Sequence, residues 1–381
     1  MTPVFPEQEF LGRTTRFQEA LAASGIDLAI VSTPESINYL TGHGSPGYYT
    51  YQCLLVPQSG EPTLLTRETE VINAEESSYL THIVGYADTD DPIATTVDLG
   101  RSIVSTVETL GLEQRSWFLV PSDYLRLEES FSARRTLPVD ELVNDLRLIK
   151  SDLEIAKIRQ AARITNAGMR AGACAAVPGA READVAAAVF STMVSEGSGY
   201  FGMEPFVASG PRAGNIHASW TGRVIRPGEG VLLEMAASFD RYHAPLMYTV
   251  WTGELEARAA LMARACIAAR EAAIACVKPG STPEAADEAC RQVIADFGLS
   301  DTYRKRTGYS VGIAFAPDWG EGHILSLKKG ETREFKPGMV VHVVPTLRQG
   351  GYAGMGFSGA VLVTEEGHEV LTSCDVVQPG A

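Results

Sequence analysis

The sequence predicts an α/β domain over residues 1–150 followed by an α+β domain over residues 151–381. Three observations carry this. Strand-like and helix-like segments alternate through the first 150 residues, the pattern of an α/β layer. The remainder opens on long helical periodicity and contains several runs rich in Val, Leu and Ala that read as strands. A helix, Pro-Gly turn, helix unit also occurs twice, at VPGAREADVAAAV (177–189) and VKPGSTPEAADEAC (277–290), and reads as a duplicated half-domain with pseudo-twofold symmetry.

In the first domain, residues 8–24 predict a helix with its arginines on the outer face. IDLAIVSTP (26–34) follows as a buried strand ending in a turn. LLVP (54–57) and PTLLT (62–66), joined by QSGE, predict a hairpin. TTVDLGRSIVSTVETLG (95–111) reads as a helix closing at Gly111, and SWFLVP (116–121) as another strand. The domain ends between Asn144 and Lys150.

In the second domain, Ile155, Ile158, Ala162 and Ile164 recur at a helical spacing within 152–175. In both repeats the Pro-Gly turn leads into a helix whose first turn is acidic, which suits the positive end of the helix dipole. GVLLEMAAS (230–238), YHAPLMYTVWTG (242–253), MVVHVVP (339–345) and GAVLVTEEG (359–367) predict an antiparallel sheet on which the helices pack.

The chain has 381 residues, too many for one ordinary core. Its 45% hydrophobic and 21% charged residues are normal for a soluble globular protein. A net charge of −15 argues against nucleic acid and acidic membrane surfaces as partners. The opening MTPVFPEQEF has no basic stretch and no apolar run, so no signal peptide is expected, and no apolar run is long enough to predict a membrane span. The six cysteines are scattered without a CxxC pair, and a reducing cytoplasm is the expected location.

Several ordered segments resemble the creatinase and methionine-aminopeptidase group, the "pita-bread" family that includes proline dipeptidase and ectoine hydrolase. RTTRFQEALAASGIDLAIVSTPESINYLTG (13–42) is similar to the creatinase N-terminal domain. LRLIKSDLEIAKIRQAARITNAGM (146–169) resembles the family's domain junction, and FVASGPRAGNIHASW (206–220) the segment carrying its active-site histidine, here His217. LLEMAASFDRYHAP (232–245) and RTGYSVGIAFAPDWGE (306–321) look most like ectoine hydrolase-like members. The resemblance implies a pita-bread second domain, a small-molecule substrate and a homodimer.

The metallopeptidases of this family hold two divalent ions with two aspartates, a histidine and two glutamates. The corresponding positions here read Glu234, Pro245, Tyr309, Val344 and Ser358. Residues 335–364 contain no Asp or Glu, and their only imidazole is His342. Hard divalent ions need several carboxylate oxygens, so a family-type dinuclear site is not expected and no cofactor is assigned. A single-metal site of His217, Glu234 and His243 is the alternative ligand set.

The candidate catalytic residues are therefore His217, Glu234 and His243. The resemblance implies that His217 moves protons, a task suited to its near-neutral pKa. Glu234 interrupts the apolar run VLLEMAA, where burial would raise its pKa and make it an acid, base or nucleophile. His243 is a candidate for orienting substrate or donating to developing negative charge, or else a structural residue beside Pro245. Tyr309, Asp318, Trp319 and His342 are candidate substrate-binding residues, with His342 equally readable as a satisfied core histidine. The tyrosines of GYYTYQ (47–52) are ordinary packing residues or reach a partner's site.

The leading expectation is a metal-independent hydrolase of a C–N bond in a small nitrogen compound, such as an ectoine-like cyclic amidine, a lactam or a guanidino acid. The acid-free window favours a less cationic, more apolar substrate than creatinase-like pockets take. The alternatives are a lyase, isomerase or decarboxylase on the same scaffold, and a degenerate ligand- or partner-binding protein.

Overall fold

Short apolar runs such as LAIV and CLLVP build the centre of the first sheet. The structure, a computed structural model, describes residues 3–374 and divides into two compact units, Met1–Arg147 and Leu148–Ala381. In unit 1 the helices are α1 (Glu7–Ser24), α2 (Pro34–Thr41), α3 (Val71–Ser77), α4 (Pro92–Ile103), α5 (Pro121–Phe131) and α6 (Asp140–Leu148). The strands are β1 (Leu28–Val31), β2 (Cys53–Pro57), β3 (Thr63–Arg67), β4 (Ile83–Tyr86), β5 (Thr109–Leu112) and β6 (Arg135–Pro138). They form one mixed sheet in the order β4–β3–β2–β1–β5–β6. The predicted hairpin is β2–β3, antiparallel, with Leu54 opposite Leu64. All four residues of β1 are buried, which is why its sequence runs apolar without alternation.

Three local readings are corrected. Arg13 of α1 is not on an outer face: it is 1% exposed. Its guanidinium donates to the carbonyl of Tyr39 and to Glu9, and lies against the rings of Phe5, Phe10 and Tyr39. The helix predicted over 95–111 stops at Ile103, and Thr109–Leu112 is β5, held between β1 and β6. The β-branched Val104, Thr106 and Val107 favour extended backbone there. Gly111 sits inside that strand, where a Cβ would come within 2.5 Å of Val139. SWFLVP is a turn leading into α5, with Pro121 at the first helical position. A residue before proline is pushed out of the helical region, so Val120 reads as extended without belonging to a sheet.

In unit 2, α7 (Asp152–Ala175) begins at a capping box of Ser151 and Glu154. With α8 (Glu182–Ser195) it packs on an antiparallel sheet ordered β7–β8–β9, made of β7 (Phe206–Ser209), β8 (Gly230–Phe239) and β9 (Tyr242–Trp251). The second helix pair is α9 (Ala257–Ala275) and α10 (Pro283–Asp296), the latter capped by the Thr282 hydroxyl. Beside it are β10 (Gly308–Ser310), β11 (Ser326–Leu327), β12 (Val340–Val343), β13 (Thr346–Gln349), β14 (Ala353–Gly356), β15 (Gly359–Val363) and β16 (His368–Val370). Five of these form a sheet ordered β11–β10–β12–β15–β16, antiparallel at every neighbour, while β13 and β14 form a separate hairpin. The unit is thus an α+β pita-bread layer, with each predicted repeat a helix pair over its own strands.

The hairpin β8–β9 turns in two residues, Asp240 (φ 50°) and Arg241 (φ 70°). Both are left-handed, the turn that matches strand twist. All six cysteines are free thiols. Among the described residues no helix is long and apolar enough to cross a membrane.

Candidate active site

Glu234 lies in the middle of β8, opposite Phe206 of β7 and Met247 of β9. Its neighbours along the strand are core, but its own side chain faces a cavity of about 280 Å³. That is just under the usual size of a site for a drug-sized ligand and suits a small metabolite. Met203, Phe206, Ile216 and Val344 supply apolar wall; His217, Tyr309, Asp318 and Trp319 line the cavity with Glu234. Five of the seven sequence-predicted site residues therefore meet in one place.

His217 stands on a loop in a left-handed backbone conformation (φ 53°), uncommon for a residue with a side chain. Its ring stacks on Phe206 with centroids 5.5 Å apart. Burial, then the positive charges of Arg348 and Lys305, hold its pKa below the ordinary histidine value. The imidazole is neutral at neutral pH and has no hydrogen-bond partner among the described residues. Burial pushes the Glu234 carboxyl up, and Lys305 and Arg348 oppose that shift. Glu234 likewise has no hydrogen-bond donor among the described residues.

Asp318 accepts the N–H groups of Trp319 (2.7 Å) and Gly320 (3.0 Å), which fixes the turn carrying the Trp319 ring. That ring meets Phe206 edge-on at 5.5 Å. Gly320 is required by packing: a Cβ there would lie 2.6 Å from the Tyr309 ring. Glu321 points elsewhere and pairs with buried Lys150 at 2.9 Å.

Tyr309 Oη receives the Trp319 indole N–H at 3.0 Å and lies 3.0 Å from His342 Nδ1. On the far side, His342 Nε2 is 2.7 Å from Ser358 Oγ, which also accepts the Met247 N–H at 2.6 Å. One proton arrangement satisfies every buried group. Ser358 donates to Nε2, and His342 Nδ1–H donates to Tyr309. The other tautomer leaves the buried Ser358 hydroxyl proton without an acceptor among the described residues, at a cost of about 1–3 kcal/mol. Tyr309 then accepts two hydrogen bonds, and its own proton is left for the cavity. Burial raises the phenol's pKa well above its usual value, so the proton stays on.

His342 and His243 do not line the cavity. His342 acts through Tyr309. His243 is fully buried and fully bonded: its Nε2 accepts the Gly202 N–H (3.1 Å), so Nδ1–H donates to the Arg241 carbonyl (2.9 Å). Burial holds it well below the ordinary histidine pKa. It is a positioning residue rather than a catalytic one, because both ring nitrogens are used in bracing the hairpin turn against the 202 segment.

Three cations line the cavity that sequence reasoning passed over: Lys305, Arg306 and Arg348. They oppose a cationic substrate, and they make the cavity more polar than the acid-free window by itself implies. For Lys305 and Arg306 the signal was present in the basic run RKR (304–306), which precedes Tyr309 with only Thr307 and Gly308 between. Arg306 lies over the Tyr309 ring at 4.8 Å. Burial pushes the Lys305 ammonium down to about 8, opposed by Glu234 and helped by Arg348.

The residues do not fit a divalent-ion pair. Pro245 offers only a carbonyl, already bonded to Thr372; Ser358 is tied to His342 and Met247; Val344 has no ligand atom. Three cationic side chains line the same cavity. Among the described residues no three His, Cys, Asp or Glu side chains stand together so as to hold a metal ion. The single-metal alternative fails because His243 is turned into the fold, away from His217 and Glu234. A larger depression of about 720 Å³ runs along α10, but its Arg291 and Gln292 are already bonded to Asp287 and Asp296.

Comparison with known proteins agrees with this architecture. Residues 156–365 match "Metallopeptidase family M24", and residues 13–149 match "Creatinase/Prolidase N-terminal domain". The chain is 30% identical to an uncharacterized hydrolase/peptidase of Sinorhizobium fredii, over 97% of this chain and 96% of that one. It is 27% identical to the ectoine hydrolase of Halomonas elongata, over 96% of each. Among solved structures, the prolidase from Thermococcus sibiricus superposes with a TM-score of 0.87 at 23% identity, covering 98% of this chain and 99% of that one, a likeness of fold alone.

Proposed function

The chain belongs to metallopeptidase family M24, a family of hydrolases, and from that premise we propose that it hydrolyses a C–N bond in a small non-peptide nitrogen compound without a metal ion. One observation carries the reading: cations and groups without ligand atoms stand where a metal pair would need carboxylates, while His217 and Glu234 face the same cavity without hydrogen-bond partners among the described residues. Among the described residues no cluster of ligand side chains is assembled to hold a metal-activated water, which speaks against peptidase action of the kind the prolidase relatives are named for. The likeness to an ectoine hydrolase supports a cyclic amidine or lactam as substrate class.

The chemistry follows from the protonation states. Neutral His217 takes a proton from water as the water oxygen bonds to the amide or amidine carbon. The Tyr309 O–H faces the negative charge that develops on the attacked group. Glu234, whose burial keeps a proton on it more readily, gives that proton to the departing nitrogen as the C–N bond breaks. Proton exchange with solvent resets both residues.

The test is turnover by chelator-treated protein of a panel of ectoine, lactams, amidines and guanidino acids, read by mass spectrometry. Turnover is expected to survive chelation and to fall at least about 100-fold in His217→Ala and Glu234→Gln. Activity abolished by chelation and restored by a divalent ion would sink the reading. A non-hydrolytic decarboxylase or lyase is the second reading, supported by the Lys305 amine near neutrality. Borohydride trapping of a carbonyl substrate on Lys305 would favour it.

A further inference from the structure

The cavity holds more hydrogen-bond donors than the protein supplies acceptors for. Lys305 Nζ has no hydrogen bond and no ion pair among the described residues, although Lys305 lines the cavity. Arg348 Nη1 is fixed by the carbonyls of Ala213 (2.9 Å) and Asn215 (2.6 Å). This anchors the guanidinium at the cavity wall, while its Nη2 meets no acceptor among the described residues and its buried Nε has none. Arg306, on the same wall, is partly spent on Ser326 (2.9 Å). Against these three cations stand two carboxylates. Asp318 has one oxygen committed to two backbone N–H groups. Glu234 is buried where its neutral form is favoured.

Two like charges brought together beside a partly dry cavity repel each other, and nothing in the protein offsets that repulsion in full. Such an arrangement persists where a bound group supplies the missing negative charge. A carboxylate matches it in charge, in size and in its four acceptor positions, and Arg pairs with carboxylate in a planar, two-bond geometry.

We propose that Lys305 and Arg348 form an anion subsite, so that the small molecule taken by this cavity carries a carboxylate. The inference rests on the cavity being the substrate site, and it deepens the proposed hydrolase reading by naming one half of the substrate. The C–N bond to be broken then lies toward His217 and Glu234, and the carboxylate is an orienting handle that takes no part in bond breaking.

Binding without turnover is the test, so that its failure is separable from failure of the hydrolase reading. Isothermal titration would compare N-acetylglycine with N-acetylglycinamide, which differ in the carboxylate alone, and pyroglutamate with its amide. The acids are expected to bind the native chain at least about tenfold more tightly than the amides. Lys305→Met and Arg348→Met should each remove most of that preference, bringing the acid-to-amide binding ratio close to one. Equal binding of acid and amide, or an acid preference that survives both substitutions, overturns the proposal. The native-chain ratio decides the matter even if one variant does not fold. Acids that bind selectively but are never cleaved would leave this subsite standing and remove support from the hydrolase.

Discussion

Tyr309 shows how one atom can tie a site to its core. Its oxygen is the shared acceptor for the Trp319 and His342 N–H groups. Tyr309→Phe removes that acceptor and leaves two buried donors unpaired, so it is expected to destabilise the protein by about 2 kcal/mol or more. Urea unfolding checks this, and an unchanged midpoint would refute the proton arrangement assigned to His342. Lys305 predicts the opposite sign. Its folded pKa lies below its unfolded one, so its charge costs stability at neutral pH, and the cost fades as pH rises from about 8. The ligand-free Lys305→Met protein should therefore melt at a higher temperature than the native chain at pH 7.

At the scale of elements, the β8–β9 hairpin does two jobs. Its middle carries Glu234 into the cavity, and its turn braces the surrounding loops. Arg241 donates to the carbonyls of Ala314 and Tyr200, and His243 receives the Gly202 N–H. Gly202 lies against Asp318, where even a Cβ would collide with the Asp318 carbonyl. His243→Ala should therefore lower stability by about 1–3 kcal/mol and weaken catalysis through the Asp318–Trp319 loop. Substrate binding measured in that variant should fall without a change in the pH profile. A shifted profile would show that His243 titrates in the reaction. In unit 1, Gly111→Val should cost about 1–3 kcal/mol, because its side chain would enter the space of Val139 and Ile26.

Across the whole molecule the histidines set the response to acid; His43, His243 and His342 are buried, and His217 is exposed on its loop. His43, His217, His243 and His342 all lie below the ordinary histidine value because burial disfavours the imidazolium, and His43 is pushed down to about 4. The unfolded chain takes up these protons first, so their stabilising share is complete above about pH 6.5 and is lost as pH falls below it. Glu113, Glu234 and Asp318 are raised by burial and run the other way. The His43 part can be isolated: the difference in melting temperature between pH 7.5 and 5 should shrink in His43→Gln. Turnover should rise through a pKa below 6.5, where His217 becomes neutral, and fall on the alkaline side where Glu234 gives up the proton that burial holds on it; binding of a carboxylate should weaken above about 8, where Lys305 loses its charge.

By itself the sequence determined the fold class, the repeat and which residue types stand at each candidate site position. Each is local or rests on residue identity. Apolar runs such as LAIV bury themselves wherever they pair, the Ser151–Glu154 cap starts a helix within its own turn, and Pro245 and Val344 have no ligand side chain in any conformation. It misjudged 95–121 because a β-branched helix end and an extended residue before proline look alike in one dimension. Only the tertiary structure decided which polar residues share a cavity. His243 and His217 are indistinguishable as isolated histidines, yet packing spends both nitrogens of one on backbone and leaves the other unbonded. Lys305 and Arg348 lie on separate segments of the chain, before β10 and within β13, and only folding brings them to the cavity that Glu234 lines. Burial, charge proximity and the accounting of buried hydrogen bonds arise from contacts between distant segments, and no periodicity along the chain encodes them.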